Sequence, residues 1–473
     1  MKFPGEEEMR ERNRRVSKAM NRAFESLGGL STDAVLMERK RRAAPLRRAF
    51  CERSIVLLRD AQGLLRWEIG SAPLPSPGHR ALANAEARRR NLRRAPLSVT
   101  PVLTQNYFDR IEPSKIGEWL KVADEKLTRP AWNQRGDLWG LRRLTSGGKL
   151  VPFEMAELPK LRSKKVLILV HGTFSNSDAL LADLMAAPTG PDLISAAVSG
   201  YDYVLSFDHP TLGQSPTLNA FDLASRLSIG VPASVDLIAH SRGGLVVRWF
   251  CEAFRHPSLR CRAILVGSPL AGTSLAAPAR AKAAMDFLAN AGEALSLVSG
   301  LGGGIMFGLA STLAGVFAKV AGALSTPLAD AIIAMVPGLA AQSREGGNVE
   351  LRALRVNTGA FDFSDPNSPV RYAVIRSHFD PSEDGVWGFI KSFAVRPGAV
   401  ILGAAANLIF EKEHDLVVDT ESMAETGELP GPPTRRAVIA TMAHDFGKST
   451  LVHHCNYFQQ RETIRGIRST LVF

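Results

Sequence analysis

The stretch Val235-Asp236-Leu237-Ile238-Ala239-His240-Ser241-Arg242-Gly243-Gly244-Leu245-Val246-Val247-Arg248-Trp249-Phe250 decides how this chain reads. An apolar run that ends in small-x-Ser-x-Gly and passes at once into a helical run predicts a strand, a sharp turn and a helix. The serine hydroxyl then stands at the edge of a sheet. Tight turns of this kind need small residues on both flanks, here Ala239 and Gly243, with His240 and Arg242 on either side of the serine. Ala239 stands where glycine is commoner. Ser241 is therefore the candidate nucleophile.

Working outward, short continuously apolar runs alternate with helical stretches from Lys164 onward. The runs are Val166–Val170, Tyr203–Phe207, Val235–Ala239, Arg262–Gly267 and Tyr372–Arg376; Asp178–Met185, Ala220–Leu227 and Leu245–Phe254 read as helices between them. Buried parallel strands with crossover helices have this pattern. The expectation is an α/β fold built on a mostly parallel, doubly wound sheet.

Some 70 residues before the serine, Val166-Leu-Ile-Leu-Val-His171-Gly172-Thr173-Phe174 reads as a strand ending in His-Gly. In such a fold this loop supplies one backbone N–H to a developing oxyanion and the residue after the nucleophile supplies the other, each contributing about 3 kcal/mol to the transition state. Thr173 and Arg242 are the expected donors, with Phe174 the alternative to Thr173. His171 reads as a residue that fixes the loop rather than as a base.

Nucleophile, acid and histidine follow one another along the chain in this fold, so the base is sought late. His454 precedes an amphipathic terminal helix with Ile464, Ile467 and Leu471 on one face, and is preferred to its neighbour His453 and to His444. The acid must orient the imidazole. Asp415 is the first choice; Asp380 and Asp384 compete, and Asp419 reads as a helix cap.

These blocks resemble the lipase-like α/β-hydrolases, in particular the bacterial group akin to triacylglycerol lipases and to the deacylase domain that removes an inositol-linked acyl chain. The resemblance spans roughly residues 164–473. His171-Gly172-Thr173 is similar to the family's oxyanion strand and Ala239-His240-Ser241-Arg242-Gly243 to its nucleophile elbow. Val266-Gly267-Ser268-Pro269-Leu270-Ala271-Gly272-Thr273 is similar to the strand and loop that follow. Asp415-Leu416-Val417-Val418 is similar to its acid-bearing motif, whose next position is often proline and here is Asp419. The resemblance implies hydrolysis of carboxylic esters, acyl lipids foremost, through an acyl-enzyme, without metal or organic cofactor. A peptidase or acyltransferase would keep the same residues, and a catalytically idle scaffold that binds a membrane or nucleic acid is the reading from another class.

The chain has 473 residues and a formal net charge of +12, and the basicity is uneven: residues 1–165 hold 35 Lys/Arg against 19 Asp/Glu. That excess separates a basic N-terminal annex of about 1–160, partly flexible and containing hairpins at 54–70 and around 138–153, from a hydrolase domain of about 161–473. Runs such as Arg39-Lys40-Arg41-Arg42 suit a solvated arm, or peripheral contact with an anionic membrane. The absence of interleaved aromatics argues against nucleic acid. Residues 275–345 read as an apolar helical cap, with no charge over 294–318, and Trp387–Phe410 as a second apolar insertion. Glycines at 300 and 302–304 argue against a membrane span. The charged N-terminus lacks the apolar core of a signal peptide, so the expectation is cytoplasmic residence. Cys51, Cys251, Cys261 and Cys455 show no metal-ligand spacing and are expected to be reduced and buried.

Overall fold

The computed structural model describes residues 54–59, 65–69, 104–109, 116–128, 139–276, 336–344, 348–357, 363, 365, 367–379, 413–415, 417–429, 435–449, 452–454 and 456–471. The arginine-rich arm, nearly all of the apolar cap, the second insertion, Cys51, Cys455, Asp380 and Asp384 lie outside the described residues. The chain divides into two compact units: Met1–Ile116 with Met285–Ile332 and Ala394–Leu402, and Gly117–Ala284 with Ile333–Phe393 and Gly403–Phe473. In the first unit, β1 (Ser54–Arg59) pairs antiparallel with both β2 (Leu65–Ile69) and β3 (Thr104–Asp109), giving a three-stranded sheet with β1 in the middle.

The second unit carries α1 (Ile116–Thr128) and then the hairpin β4 (Gly140–Leu144) and β5 (Leu150–Pro152). There follow β6 (Lys165–Val170), α2 (Ser177–Ala186), α3 (Gly190–Gly200), β7 (Tyr203–Asp208), α4 (Pro216–Ile229), β8 (Ser234–His240), α5 (Gly243–Trp249) and β9 (Arg260–Val266). After the insertion come α6 (Val349–Asn357), β10 (Val370–Phe379), the pair β11 (Glu425–Leu429) and β12 (Arg435–Val438), β13 (Met442–Ser449) and α7 (Arg461–Thr470). Eight strands form one sheet in the order β13-β10-β9-β8-β6-β7-β4-β5. All neighbours from β13 to β7 are parallel, and β4 joins β7 and β5 antiparallel. The sheet is mixed, mostly parallel and α/β-hydrolase-like.

The hairpin at residues 140–152 thus belongs to the large sheet and not to the N-terminal region with which its sequence position groups it, so the sheet starts before residue 160. Its partner is distant: Leu141 pairs with Phe207. Arg142 fastens it further, its buried guanidinium reaching Asp178 at 2.6 Å and Asp208 at 3.3 Å.

Alternation along each central strand splits the apolar side chains between two cores, as a pleat buried on both faces requires. Val166, Ile168 and Val170 of β6 pack on one face with Val235, Leu237 and Ala239 of β8, against α4 and α5. Leu167, Leu169 and Ile238 pack on the other with α2, α3 and α7. Asp236 falls on this second face, where Tyr201 Oη donates to it and Arg262 ion-pairs with it at 2.5 Å. Cys251 and Cys261 are buried free thiols. No helix among the described residues is long and apolar enough to cross a membrane.

Strand order reverses at β6: β7 lies on one side and β8 on the other, so the loops after β6 and β8 sit side by side at the carboxyl edge, where α/β sheets bind ligands. Every residue of α5 is buried. Its first residue, Gly243, packs so closely on the end of β6 that a Cβ would lie 2.6 Å from the Val170 carbonyl oxygen and 2.8 Å from that of His171. Gly243→Ala is expected to destabilise the protein by about 1–3 kcal/mol through overpacking, and Leu237→Ala, at 0 % exposure, by about 2–5 kcal/mol through the cavity it leaves. Urea unfolding checks both; a neutral Leu237→Ala would contradict a close-packed face.

Candidate active site

Ser241 occupies the turn between β8 and α5 with φ 53°, a left-handed conformation that a non-glycine residue adopts at a cost of order 1 kcal/mol or more. The turn is held at both ends. Ser241 N–H donates to the Val266 carbonyl at 2.9 Å, and Gly244 N–H donates to the Ser241 carbonyl at 2.9 Å. Gly172 approaches from β6; a Cβ there would lie 2.8 Å from the Ser241 Cβ and 3.1 Å from the His240 carbonyl oxygen. Only a glycine lets this loop lie against the serine.

His454 reaches the serine from the segment after β13. Its Nε2 lies 2.9 Å from Ser241 Oγ and its Nδ1 lies 2.8 Å from Asp415 Oδ2. Both hydrogen bonds are buried, and the one consistent neutral tautomer has Nδ1–H donating to the carboxylate and Nε2 accepting the hydroxyl. His454 N–H also donates to the Asp415 carbonyl at 3.0 Å. A second histidine braces this loop: His240 Nε2 lies 2.9 Å from the His454 carbonyl oxygen. Burial, with the nearby His454, pushes the His240 pKa down to about 3, so the ring is neutral and its Nε2–H donates to that oxygen.

Asp415 lies far along the chain from the strand that supports it. Phe379 N–H, at the end of β10, donates to the His414 carbonyl at 2.9 Å and brings the acid back to the carboxyl edge of the sheet. Its carboxylate is 0 % exposed. Val417 N–H at 3.1 Å and Val418 N–H at 2.8 Å donate to Oδ1, and Tyr457 Oη at 3.0 Å joins His454 on Oδ2. Burial alone would raise the Asp415 pKa; His454 and the two backbone donors outweigh it and hold the carboxyl below its usual range. Tyr457 was not legible as a site residue. The signal available was a tyrosine three positions after the histidine, at the start of a 3-10 turn over Tyr457–Gln459.

The remaining candidates fall elsewhere. His453 packs edge-on against Phe379, with its pKa pushed down to about 4 by burial; His444 lies on β13 against Phe446. Asp419 takes Ser274 N–H and Ser274 Oγ–H, each at 2.8 Å, and so caps the turn that opens the cap insertion. No group of three or more His, Cys, Asp or Glu among the described residues has the arrangement to hold a metal ion.

His171 is buried with its Nδ1 3.0 Å from the Gly172 carbonyl oxygen, while Nε2 accepts the His209 N–H at 3.3 Å and the two rings stack at 4.1 Å. Its Nδ1 therefore carries the proton and pulls the Gly172 carbonyl to one side. A trans peptide sets N–H opposite C=O, so the Thr173 N–H points the other way. Phe174, at φ 58°, donates its N–H to Thr211 Oγ1 at 3.3 Å. Among the described residues, no hydrogen bond engages the N–H of Thr173 or of Arg242. The Arg242 side chain is fully buried, its Nη2 donating to the Gln214 carbonyl at 2.6 Å and to Asn219 Oδ1 at 2.7 Å. Burial lowers its pKa to about 10, which leaves it charged at neutral pH.

None of the curated proteins matches the chain in sequence. Among solved structures, lipase BlEst2 of Bacillus licheniformis in its mature form is 16% identical, with 66% of this chain and 91% of that one covered at a TM-score of 0.31. Lipase 1 from Pelosinus fermentans is 13% identical over 66% of this chain and 100% of that one, with a TM-score of 0.37. Carboxylesterase CesB from Bacillus subtilis is 12% identical over 76% and 99%, with a TM-score of 0.30. Likenesses this distant carry no conclusion about substrate or activity. A family model matches residues 144–472, most of the chain, and the protein belongs to that family, described as a domain of unknown function (DUF7379).

Proposed function

We propose that the protein is a serine hydrolase that cleaves carboxylic esters, acyl lipids foremost, through an acyl-enzyme. The observation that carries the reading is the buried relay from Ser241 Oγ through His454 to Asp415, with contacts of 2.9 and 2.8 Å, at the carboxyl edge of the sheet. His454 Nε2 takes the Ser241 proton as Oγ bonds to the ester carbonyl carbon. Asp415 holds the ring and stabilises its positive charge. The Thr173 and Arg242 N–H groups receive the oxyanion; both are uncommitted, whereas Phe174 N–H is already given to Thr211, which favours Thr173 over Phe174. As the tetrahedral adduct collapses, the C–O bond to the alcohol breaks and His454 returns the proton to the leaving oxygen. Water then gives a proton to His454 as its oxygen bonds to the acyl carbon; the bond from that carbon to Ser241 Oγ breaks, His454 returns the proton to Oγ, and the carboxylic acid leaves.

The lipid substrate class rests on sequence: the uncharged run 294–318 suits an apolar lining that buries an acyl chain and excludes water. The basic N-terminal region complements it as a peripheral contact for anionic headgroups, each Lys or Arg near such a surface contributing about 1 kcal/mol.

A fluorophosphonate probe and a panel of acyl esters test the reading. Labelling and hydrolysis are expected to vanish in Ser241→Ala, and His454→Ala should label far more slowly. Wild-type protein that neither labels nor hydrolyses any ester would establish the idle scaffold instead. Asp415→Asn should lower kcat by about 10⁴-fold, as loss of the orienting acid does in such relays, while Asp380→Asn and Asp384→Asn stay near wild type; equal loss at Asp380 would displace Asp415. Tyr457→Phe removes one of four donors on the carboxylate and should cost about 1 kcal/mol of stability, read as a shift in the urea midpoint.

A further inference from the structure

Asp124 is a fully buried carboxylate that the proposed chemistry does not use, and it comes from α1, ahead of the family-matched segment. It faces the loop after β7. Its Oδ1 accepts Thr211 N–H at 2.7 Å and Leu212 N–H at 2.9 Å, and its Oδ2 accepts Gly213 N–H at 2.7 Å. Thr211 Oγ1 also donates to Oδ1, at 3.3 Å. Donors converge on both oxygens, and burial raises its pKa against the pull of those N–H groups and of Arg242.

The Thr211 hydroxyl has a single proton, and it is given to Asp124 Oδ1. The Thr211 oxygen in turn accepts the N–H of Phe174 on one of its two lone pairs. Phe174 holds a left-handed φ of 58° that a phenylalanine does not keep without such a restraint. The Thr173–Phe174 peptide is thereby fixed on one side of Thr173, as the Gly172–Thr173 peptide is fixed on the other by His171.

We propose that Thr211, oriented by Asp124, is a positioning residue for the oxyanion donor at Thr173, so that a helix outside the family-matched segment sets transition-state stabilisation at Ser241. This rests on the hydrolase reading above. Neither side chain touches substrate in this scheme; both act by holding the loop. The effect belongs to kcat, because a misaimed N–H weakens binding of the oxyanion and leaves ground-state binding alone.

Thr211→Val keeps the shape and removes the hydroxyl, and Thr211→Ser restores it. With a chromogenic acyl ester, Thr211→Val is expected to lower kcat by about 10–100-fold, short of the loss on deleting a donor outright, with KM within about twofold. The inhibition constant of a trifluoromethyl ketone, whose serine adduct carries an oxyanion, should rise in parallel with the fall in kcat/KM, and Thr211→Ser should recover most of both. Asp124→Asn sets an amide N–H against backbone N–H groups and should reproduce the kcat loss with a lower melting temperature; if it fails to fold, the valine and serine pair decides. Wild-type kcat and ketone affinity in Thr211→Val would overturn the proposal, as would equal loss in Thr211→Ser. Absence of any Ser241-dependent turnover in the wild-type protein is a separate result, and it would remove the hydrolase reading and this inference together.

Discussion

The close approach of the β6 loop to Ser241 is the constraint on which the site depends. Ser241 takes a left-handed backbone, and such strain persists only where the surroundings over-determine it. Here the surroundings are backbone. Val266 and Gly244 hold the turn by hydrogen bonds, while Gly172 and Gly243 leave no Cβ in the space between β6, the turn and α5. The strand order puts β6 beside β8, and the lack of side-chain bulk lets their ends meet. The Ser241 turn is therefore fixed against the β6 loop by main chain, while the side chains of His171 and Thr211 hold the peptides on either side of Thr173.

Central strands were legible because burial on both faces leaves a continuous apolar run, as in Val166–Val170, and the helix after Ser241 because every residue of it is buried or small. Strand β13 was not: it lies at the sheet edge, and Met442-Ala-His-Asp-Phe-Gly-Lys-Ser is largely polar and at least partly exposed along its whole length. Helix α3 opens on Gly190-Pro191, a turn signal that masks the helical spacing of Leu193, Ile194, Ala197 and Val198 behind it. The hairpin at 140–152 is legible as a hairpin but not as part of the large sheet, since its pairing with β7 is a long-range fact that no local window contains. At the site, motif positions such as Gly172, Ser241 and Gly243 can be read from backbone demands alone. Tyr457, Thr211 and Asp124 cannot, because each acts through a neighbour brought close only by the fold.

Burial shapes the electrostatics in one direction. His171, His209, His240 and His453 are all pushed below the ordinary histidine range, chiefly by desolvation, so the rings around the relay are neutral. Asp415 is the exception that stays charged, because four donors converge on its two oxygens. In the proposed reaction a positive charge arises on His454 during attack. It finds the Asp415 carboxylate in direct contact, and the neutral rings beside it add no competing charge to the preference that Asp415 creates for the imidazolium. Removing the donors at Val417, Val418 or Tyr457 would let desolvation raise the acid's pKa and weaken that preference.

The folding unit is larger than the segment by which the family is defined. The matched region begins at residue 144, the last position of β4, yet β4 supplies the pairing edge for β7 and, through Arg142, a buried ion pair with Asp208 and a partly buried one with Asp178. Asp124 lies further upstream and satisfies the buried N–H groups of Thr211 and Leu212, which would otherwise lack acceptors, and also takes the N–H of the exposed Gly213. Leaving buried donors unpaired costs about 1–3 kcal/mol each, so a chain cut at the family boundary would expose β7 as an edge strand and leave the loop after it unsupported. That loop holds Phe174 and, through it, the peptide next to Thr173. Helix α1, through Asp124, and strand β4 are for this reason part of the site's framework.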